Sequence, residues 1–351
     1  MSIPIAKINS TLRPANWLCL AAVAALAVVH LHAGETAYDR ELAKAKFKRP
    51  TEIPFPKENG FTSARAVLGK ALFFDTRLSG ANCTACASCH NPAFSWGDAL
   101  PRAVGFGSKE LGRRTPTILN VAWGEDYFWD GRAESLEEQA LGPIKAAGEM
   151  NLPLDKLVAK VGTIEGYKPL FEQAYPHEEI NEKTVAKAIA TFERTVVSGP
   201  TAFDEWVNGR ENAISDSAKR GFDIFNTKGM CVQCHVGWNF TDDGFHDIGV
   251  ADDDIGRGKV LPQIAAVQHA FKTPTLRNVA LRRPYLHNGS EKTLDDVMHF
   301  YNQGGVARRD SLDINIKPLK LTDQEMRNLC DFLLTLSSRD NPVTIPTLPT
   351  E

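Results

Sequence analysis

CTACASCH, residues 83–90, holds three cysteines at equal spacing and then a histidine. Two registers are open. Cys83-x-x-Cys86 reads as a zinc or redox pair. Cys86-x-x-Cys89 places His90 directly after its second cysteine. The stretch Cys231-Val-Gln-Cys234-His235 repeats the second register. Zinc needs four ligands gathered locally, and neither pair has a close second pair. Thioredoxin-like redox use does not need a histidine at both next positions.

Covalent haem attachment explains the spacing. Two thiols bond the two vinyl groups, and the adjacent imidazole reaches the iron from one face. Two covalently bound haem c groups are therefore expected, one on Cys86, Cys89 and His90, the other on Cys231, Cys234 and His235. Cys83 and Cys330 are then left over, either as two thiols or as a disulfide.

The repeat runs further. TPTILNVAWGEDYFWDGRAESLEE (115–138) aligns without a gap to TPTLRNVALRRPYLHNGSEKTLDD (273–296), an offset of 158. LGKALFFD and KRGFDIFN precede the two motifs. Self-similarity at long period marks a duplicated unit. SARAVLGKALFF, INEKTVAKAIATFERTVV with Asn181 or an upstream residue as a cap, SDSAKRGFDIF and LTDQEMRNLCDFLLTL all carry helical spacing or capping signals. Gly- and Pro-rich loops at 100–116 and 250–264 separate such segments. The expected fold is mainly α, with two cytochrome c-like haem domains related by internal duplication. They span 34–199 and 200–351, the second ending in a Pro-rich tail.

Each iron has one histidine, so its opposite face decides the chemistry. A sixth protein ligand favours electron transfer, and an open face admits peroxide. In the second half, Met298, His299 and Tyr301 all have ligating groups. The offset carries Tyr301 back to Pro143, which has none. An occupied second site and an open first site follow. Near Pro143 stand Gln139 and Glu149. A buried carboxyl there moves a proton between the oxygens of peroxide; a helix-surface Gln and a loop Glu are the structural alternatives. Trp129 aligns with His287, and is either an electron relay or core. His246 is either a propionate partner or a structural loop residue. The run Asp252-Asp253-Asp254 reads as a solvated turn.

The pieces CASCHNP, RRTPTILN, YFWDGRAESLEEQALGP, GEM, CVQCH, FHDIGV, FKTPTLRNVALRRPYLHNGS and FYNQGG resemble the bacterial di-haem cytochrome c peroxidase and MauG family, over roughly residues 55–340. The resemblance implies that the N-terminal haem reacts with hydrogen peroxide and the C-terminal haem stores or relays oxidising equivalents. It implies that Trp129 bridges them and that Gln139, Pro143 and Glu149 form the peroxide pocket. In ordinary members a loop histidine blocks the first haem; Phe106 stands at that position. Tyr301 stands where those members have Met. Both departures imply the MauG-like branch, which oxidises an aromatic residue, Trp or Tyr, of a protein partner. The alternative is a conventional peroxidase fed by a small redox protein. MauG has a Trp where this chain has Gly229, which points away from the methylamine dehydrogenase precursor as partner. The MauG-like enzyme of methanobactin operons is one candidate for this chain's own place in the family. The family's calcium site meets Arg114 and the carbonyls near Arg282 and Pro284, so calcium is doubtful.

The chain has 351 residues, 43% of them apolar, and a net charge of −3. That balance gives no basic patch for nucleic acid. Lys7 and Arg13 precede NWLCLAAVAALAVVHLHA. This reads as a secretory signal over 1–33, cleaved after Ala33. The apolar run is shorter than the roughly 20 residues of a spanning helix. A periplasmic protein with no membrane span in its mature form is expected, meeting a periplasmic protein substrate or redox partner.

Overall fold

The computed structural model describes residues 38–338 and 342–350. The signal segment read at 1–33 lies outside the described residues. The helices fall where the periodicity places them. Ser63–Phe74 is capped by Thr62, Glu182–Arg194 by Asn181, Asp216–Asn226 by Ser215 and Asp323–Leu334 by Thr322. In each case a side-chain oxygen accepts from a backbone N–H that the first turn leaves unpaired. One short antiparallel pair, Phe245–His246 with Phe271–Lys272, joins the loops of the second half.

Two buried cores result. The first takes side chains between Leu68 and Val196; the second takes those from Phe203 to Leu336 together with Ala43 and Phe47. Each is built on a crossing of two helices, 63–74 with 182–194 and 216–226 with 323–334. Glycine makes both crossings close. A Cβ on Gly69 would stand 1.8 Å from the Ala188 carbonyl oxygen, and one on Gly221 would stand 2.0 Å from that of Asn328. Phe192 and Phe332, one turn on, cover these contacts. The fault is backbone against backbone, so no rotamer relieves it. Gly69→Ala and Gly221→Ala should each destabilise the protein by about 3 kcal/mol, at the upper end for overpacking. Thermal melts of the two variants measure this.

The duplication is visible residue by residue. Helices Leu136–Lys145 and Leu294–Asn302 start 158 positions apart, capped by Ser135 and Thr293. Asn120 and Asn278 both take left-handed backbone, φ 61° and 57°, before a single 3₁₀ turn. Asparagine tolerates that region better than most residues. These two side chains also reach across the pseudo-repeat. Asn120 Nδ2 donates to Asn239 Oδ1 at 3.0 Å, just past the second motif. Asn278 Nδ2 donates to Ser95 Oγ at 3.1 Å, just past the first.

The chain ends cross over as well. Phe47 stacks on Phe240, ring centroids 4.8 Å apart, and is wholly buried in the second core. In the tail, Val343 packs on the first core and the Pro349 carbonyl accepts from Arg77 Nη2 at 2.9 Å. So the start of the span 34–199 packs with the second half, and the end of the span 200–351 packs with the first. Burial of one phenylalanine ring decides the first crossing, and a buried contact plus a guanidinium bond the second.

Candidate functional site

A cavity of about 860 Å³ opens beside Cys86, Cys89 and His90. Its size lies in the range of cofactor pockets. His90 is half-buried beside the cavity, its Nδ1 3.3 Å from the Trp96 carbonyl oxygen. His235 repeats this with Phe240 at 2.9 Å. Burial pushes both imidazoles down, so both are neutral. A neutral ring whose Nδ1–H donates to backbone offers Nε2 to a metal. Burial pushes Cys89 up to about 11 and Cys231 up to about 12. These are not the acidified thiols of a redox pair. Thiols held neutral beside an oriented imidazole fit covalent haem at both motifs, and at the first they face the large cavity. Cys83 and Cys330 are separate free thiols.

Gln139, Pro143 and Glu149 all line the same cavity. Gln139 and Pro143 are four apart on helix 136–145, hence on one face. Pro143 has no N–H to give the Gln139 carbonyl. Glu149 follows the helix end, its N–H bonded to the Ala146 carbonyl at 3.0 Å. Burial raises the Glu149 carboxyl above its ordinary range, against the opposing charge of Arg132. Phe106 is 37% exposed and is not among the cavity walls, although Gly105 beside it is. No ligating side chain stands at either Phe106 or Pro143.

Trp129 is buried in the cavity wall, with Nε1 donating to the Arg114 carbonyl at 2.8 Å. Its ring meets that of His287 edge-on, centroids 6.4 Å apart. The two aligned residues are thus neighbours, one from each repeat. His287 in turn stacks on Phe271 at 3.5 Å and bonds Asp252 through Nε2 at 2.7 Å.

The three candidates of the second half separate cleanly. Met298 is part of the second apolar core. His299 is exposed and pairs with Asp295 at 3.5 Å. Tyr301 is partly buried, and burial, then the thiols of Cys234 and Cys231, pushes its hydroxyl strongly up. Its neutral phenol lies near the thiols of the second motif.

His246 stands in the short strand 245–246 and is held at both nitrogens, by Asp313 at 2.6 Å and Asp242 at 2.9 Å. It lies near Cys234, but that cysteine belongs to the second motif. The acidic turn is not simply solvated. Asp254 binds Arg113 at 2.5 Å and Lys259 at 2.8 Å, and Asp252 holds His287. Long-range basic partners, invisible in a local reading, account for the difference.

Glu193 belongs to none of the sequence motifs. It is 3% exposed, lines the cavity, and burial pushes it up to about 8. The available signal was an acid four residues from Ile189 on the buried face of an amphipathic helix. Gly229 has no room for a larger residue, since a Cβ there would stand 2.8 Å from the Ile224 carbonyl oxygen.

A family model described as di-haem cytochrome c peroxidase matches residues 63–212, and one described as cytochrome c matches 218–337. The methylamine utilization protein MauG of Methylorubrum extorquens is 48% identical, over 89% of this chain and 89% of its own length. Its namesake from Methylophilus methylotrophus is 44% identical, over 92% and 98%. A solved structure of a MauG-like protein associated with microbial copper homeostasis has a TM-score of 0.76 at 28% identity, over 83% of this chain and 95% of that one.

Proposed function

The chain belongs to the di-haem cytochrome c peroxidase and MauG family, and from that premise we propose that it uses hydrogen peroxide to oxidise a Trp or Tyr side chain of a partner protein in the periplasm. As a peroxidase-type oxidoreductase with two cytochrome c-type domains, it carries two haem c groups. When bound, they supply the capacity to accept the oxidising equivalents of peroxide and release them one electron at a time.

The carrying observation is the eighth position of the two equivalent helices, Pro143 in one and Tyr301 in the other. Pro143 offers no ligating atom to a haem held by His90, which would leave room for peroxide. Tyr301, near the thiols of the second motif, would supply a hard phenol donor suited to an oxidised metal there. Glu149 takes a proton from one peroxide oxygen and returns it to the other, which makes cleavage of the O–O bond heterolytic. Gln139 orients the peroxide from the same helix face as Pro143. Trp129 stands between the repeats with its N–H tied to backbone, a fixed ring for passing electrons. Cys86, Cys89 and His90, and Cys231, Cys234 and His235, would hold the cofactors.

The partner setting is favoured by name. Both MauG relatives are methylamine utilization proteins, and their identity runs along some nine-tenths of this chain. Gly229 alone argued otherwise, and one position weighs less. Among the described residues no helix is long and apolar enough to cross a membrane.

The test treats the fully oxidised holoprotein with peroxide beside exported proteins of its host, followed by mass spectrometry of their Trp and Tyr residues. Mass gain at an aromatic residue, dependent on both peroxide and enzyme, is expected. Fast peroxide reduction with a reduced small cytochrome and no aromatic oxidation would replace this reading by a conventional peroxidase.

A further inference from the structure

Arg114 and Arg282 face one another where the two repeats meet. They are 6% and 5% exposed, and both line the cavity. Arg114 Nη2 donates to the Arg282 carbonyl. Arg282 Nη2 donates to the carbonyls of Thr275 at 2.6 Å and Arg277 at 2.8 Å. The backbone of Arg114 is itself pinned, its N–H on the His287 carbonyl at 2.7 Å and its carbonyl on Trp129 Nε1.

Neither guanidinium has a carboxylate within ion-pair distance among the described residues, and the Nε of each has no partner. The two other buried arginines are matched: Arg194 meets Glu137 at 2.7 Å and Arg277 meets Asp204 at 2.8 Å. A buried charge without a counter-ion is strongly destabilising, and two like charges side by side are worse. Burial, then the charge of Arg114, brings Arg282 down to about 9, which still leaves it cationic at neutral pH. Backbone carbonyls satisfy hydrogens but supply no net negative charge. Asp98 acts on Arg114 only from beyond ion-pair distance, so the cavity wall holds two buried positive charges with no paired anion among the described residues.

We propose that Arg114 and Arg282 are the counter-ions for propionate carboxylates of the haem pair, held at the seam between the repeats. Haem carries two such carboxylates, and guanidinium matches a carboxylate in planar, paired hydrogen bonds. The same guanidinium occupies the Arg282 carbonyl that a calcium ion would need as an oxygen ligand. The seam thus uses a covalently fixed cation in place of a divalent one. The proposal rests on haem in the cavity and not on the peroxide chemistry, so either can fail alone.

The test measures reduction potentials of both haems by spectroelectrochemical titration in holo wild type, Arg114→Lys, Arg114→Gln, Arg282→Lys and Arg282→Gln. Loss of a buried positive charge favours the ferric state. The Gln variants should therefore move at least one haem to lower potential, while the Lys variants stay near wild type. EDTA should leave the wild-type spectrum and potentials unchanged. Wild-type potentials in the Gln variants overturn the proposal, and so does equal displacement in Lys and Gln variants, or a shift with EDTA. Should the Gln variants not fold, the crystal structure of the holo wild type decides. Carboxylate oxygens within ion-pair reach of Arg114 or Arg282 are expected, and carboxylates paired elsewhere overturn it.

Discussion

Glu149→Gln should slow the reaction of the holoprotein with hydrogen peroxide by about 10²- to 10⁴-fold, the range for loss of a positioned proton carrier. The amide keeps the shape of the side chain and the bond from the Glu149 N–H to Ala146, so the cavity survives. What it loses is the group that accepts and returns a proton. The pH dependence makes the assignment specific. Burial holds the Glu149 carboxyl above its ordinary range, with Arg132 pulling the other way. The form that accepts the proton of peroxide is the carboxylate. The rate should therefore rise as pH rises through this elevated value, and the limb should vanish in Glu149→Gln. Arg132→Gln removes the opposing charge and should move the limb to higher pH without removing it. Stopped-flow absorption at the Soret band measures all three. An Arg132→Gln limb at lower pH would show that the titrating group is not Glu149.

The parts of this site that repeat were open to reading from the chain alone. An offset of 158 carried Tyr301 onto Pro143, and the helices that bear them begin 158 apart. Hydroxyl caps at Ser135 and Thr293 are local signals, and local signals survive folding because neighbours in sequence supply them. What the period could not carry was the docking of one copy on the other. Asn120 to Asn239 and Asn278 to Ser95 are cross-repeat bonds between residues that look like ordinary loop asparagines. Phe47 precedes the first motif by 39 positions and still joins the second core. Arg113 reaches Asp254 across 141 residues, which turns an apparently solvated acidic run into a buried-edge ion pair. Glu193 and the Arg114–Arg282 pair stayed hidden for a related reason. A charged residue on an apolar helix face, or in a Gly- and Pro-rich loop, gains meaning only once a cavity forms beside it.

Tyr301→Phe should change the number of cyanide ions bound per chain from one to two. On the proposed reading the first haem would keep a face free of protein ligands and the phenol of Tyr301, which lies near the thiols of the second motif, would hold the second. Removing one oxygen atom exposes the second face at almost no loss of packing volume. Neighbouring side chains are poorly placed to replace it. Met298 is committed to the apolar core, and His299 is exposed in its pair with Asp295. Met298→Leu is the control. It should keep a stoichiometry of one and change stability by less than about 1.5 kcal/mol, as volume-conserving core swaps do. Titration of the oxidised holoproteins with cyanide, followed by absorption, reads the stoichiometry directly. A hard anionic donor stabilises the oxidised side of the couple, so Tyr301→Phe should also lose peroxide-driven oxidation of the partner's aromatic residue while Glu149 still moves its proton. A stoichiometry of two in Met298→Leu and one in Tyr301→Phe would assign the second site to Met298. The chain would then fall with the conventional peroxidases, whose first site takes electrons from a small redox protein through the second.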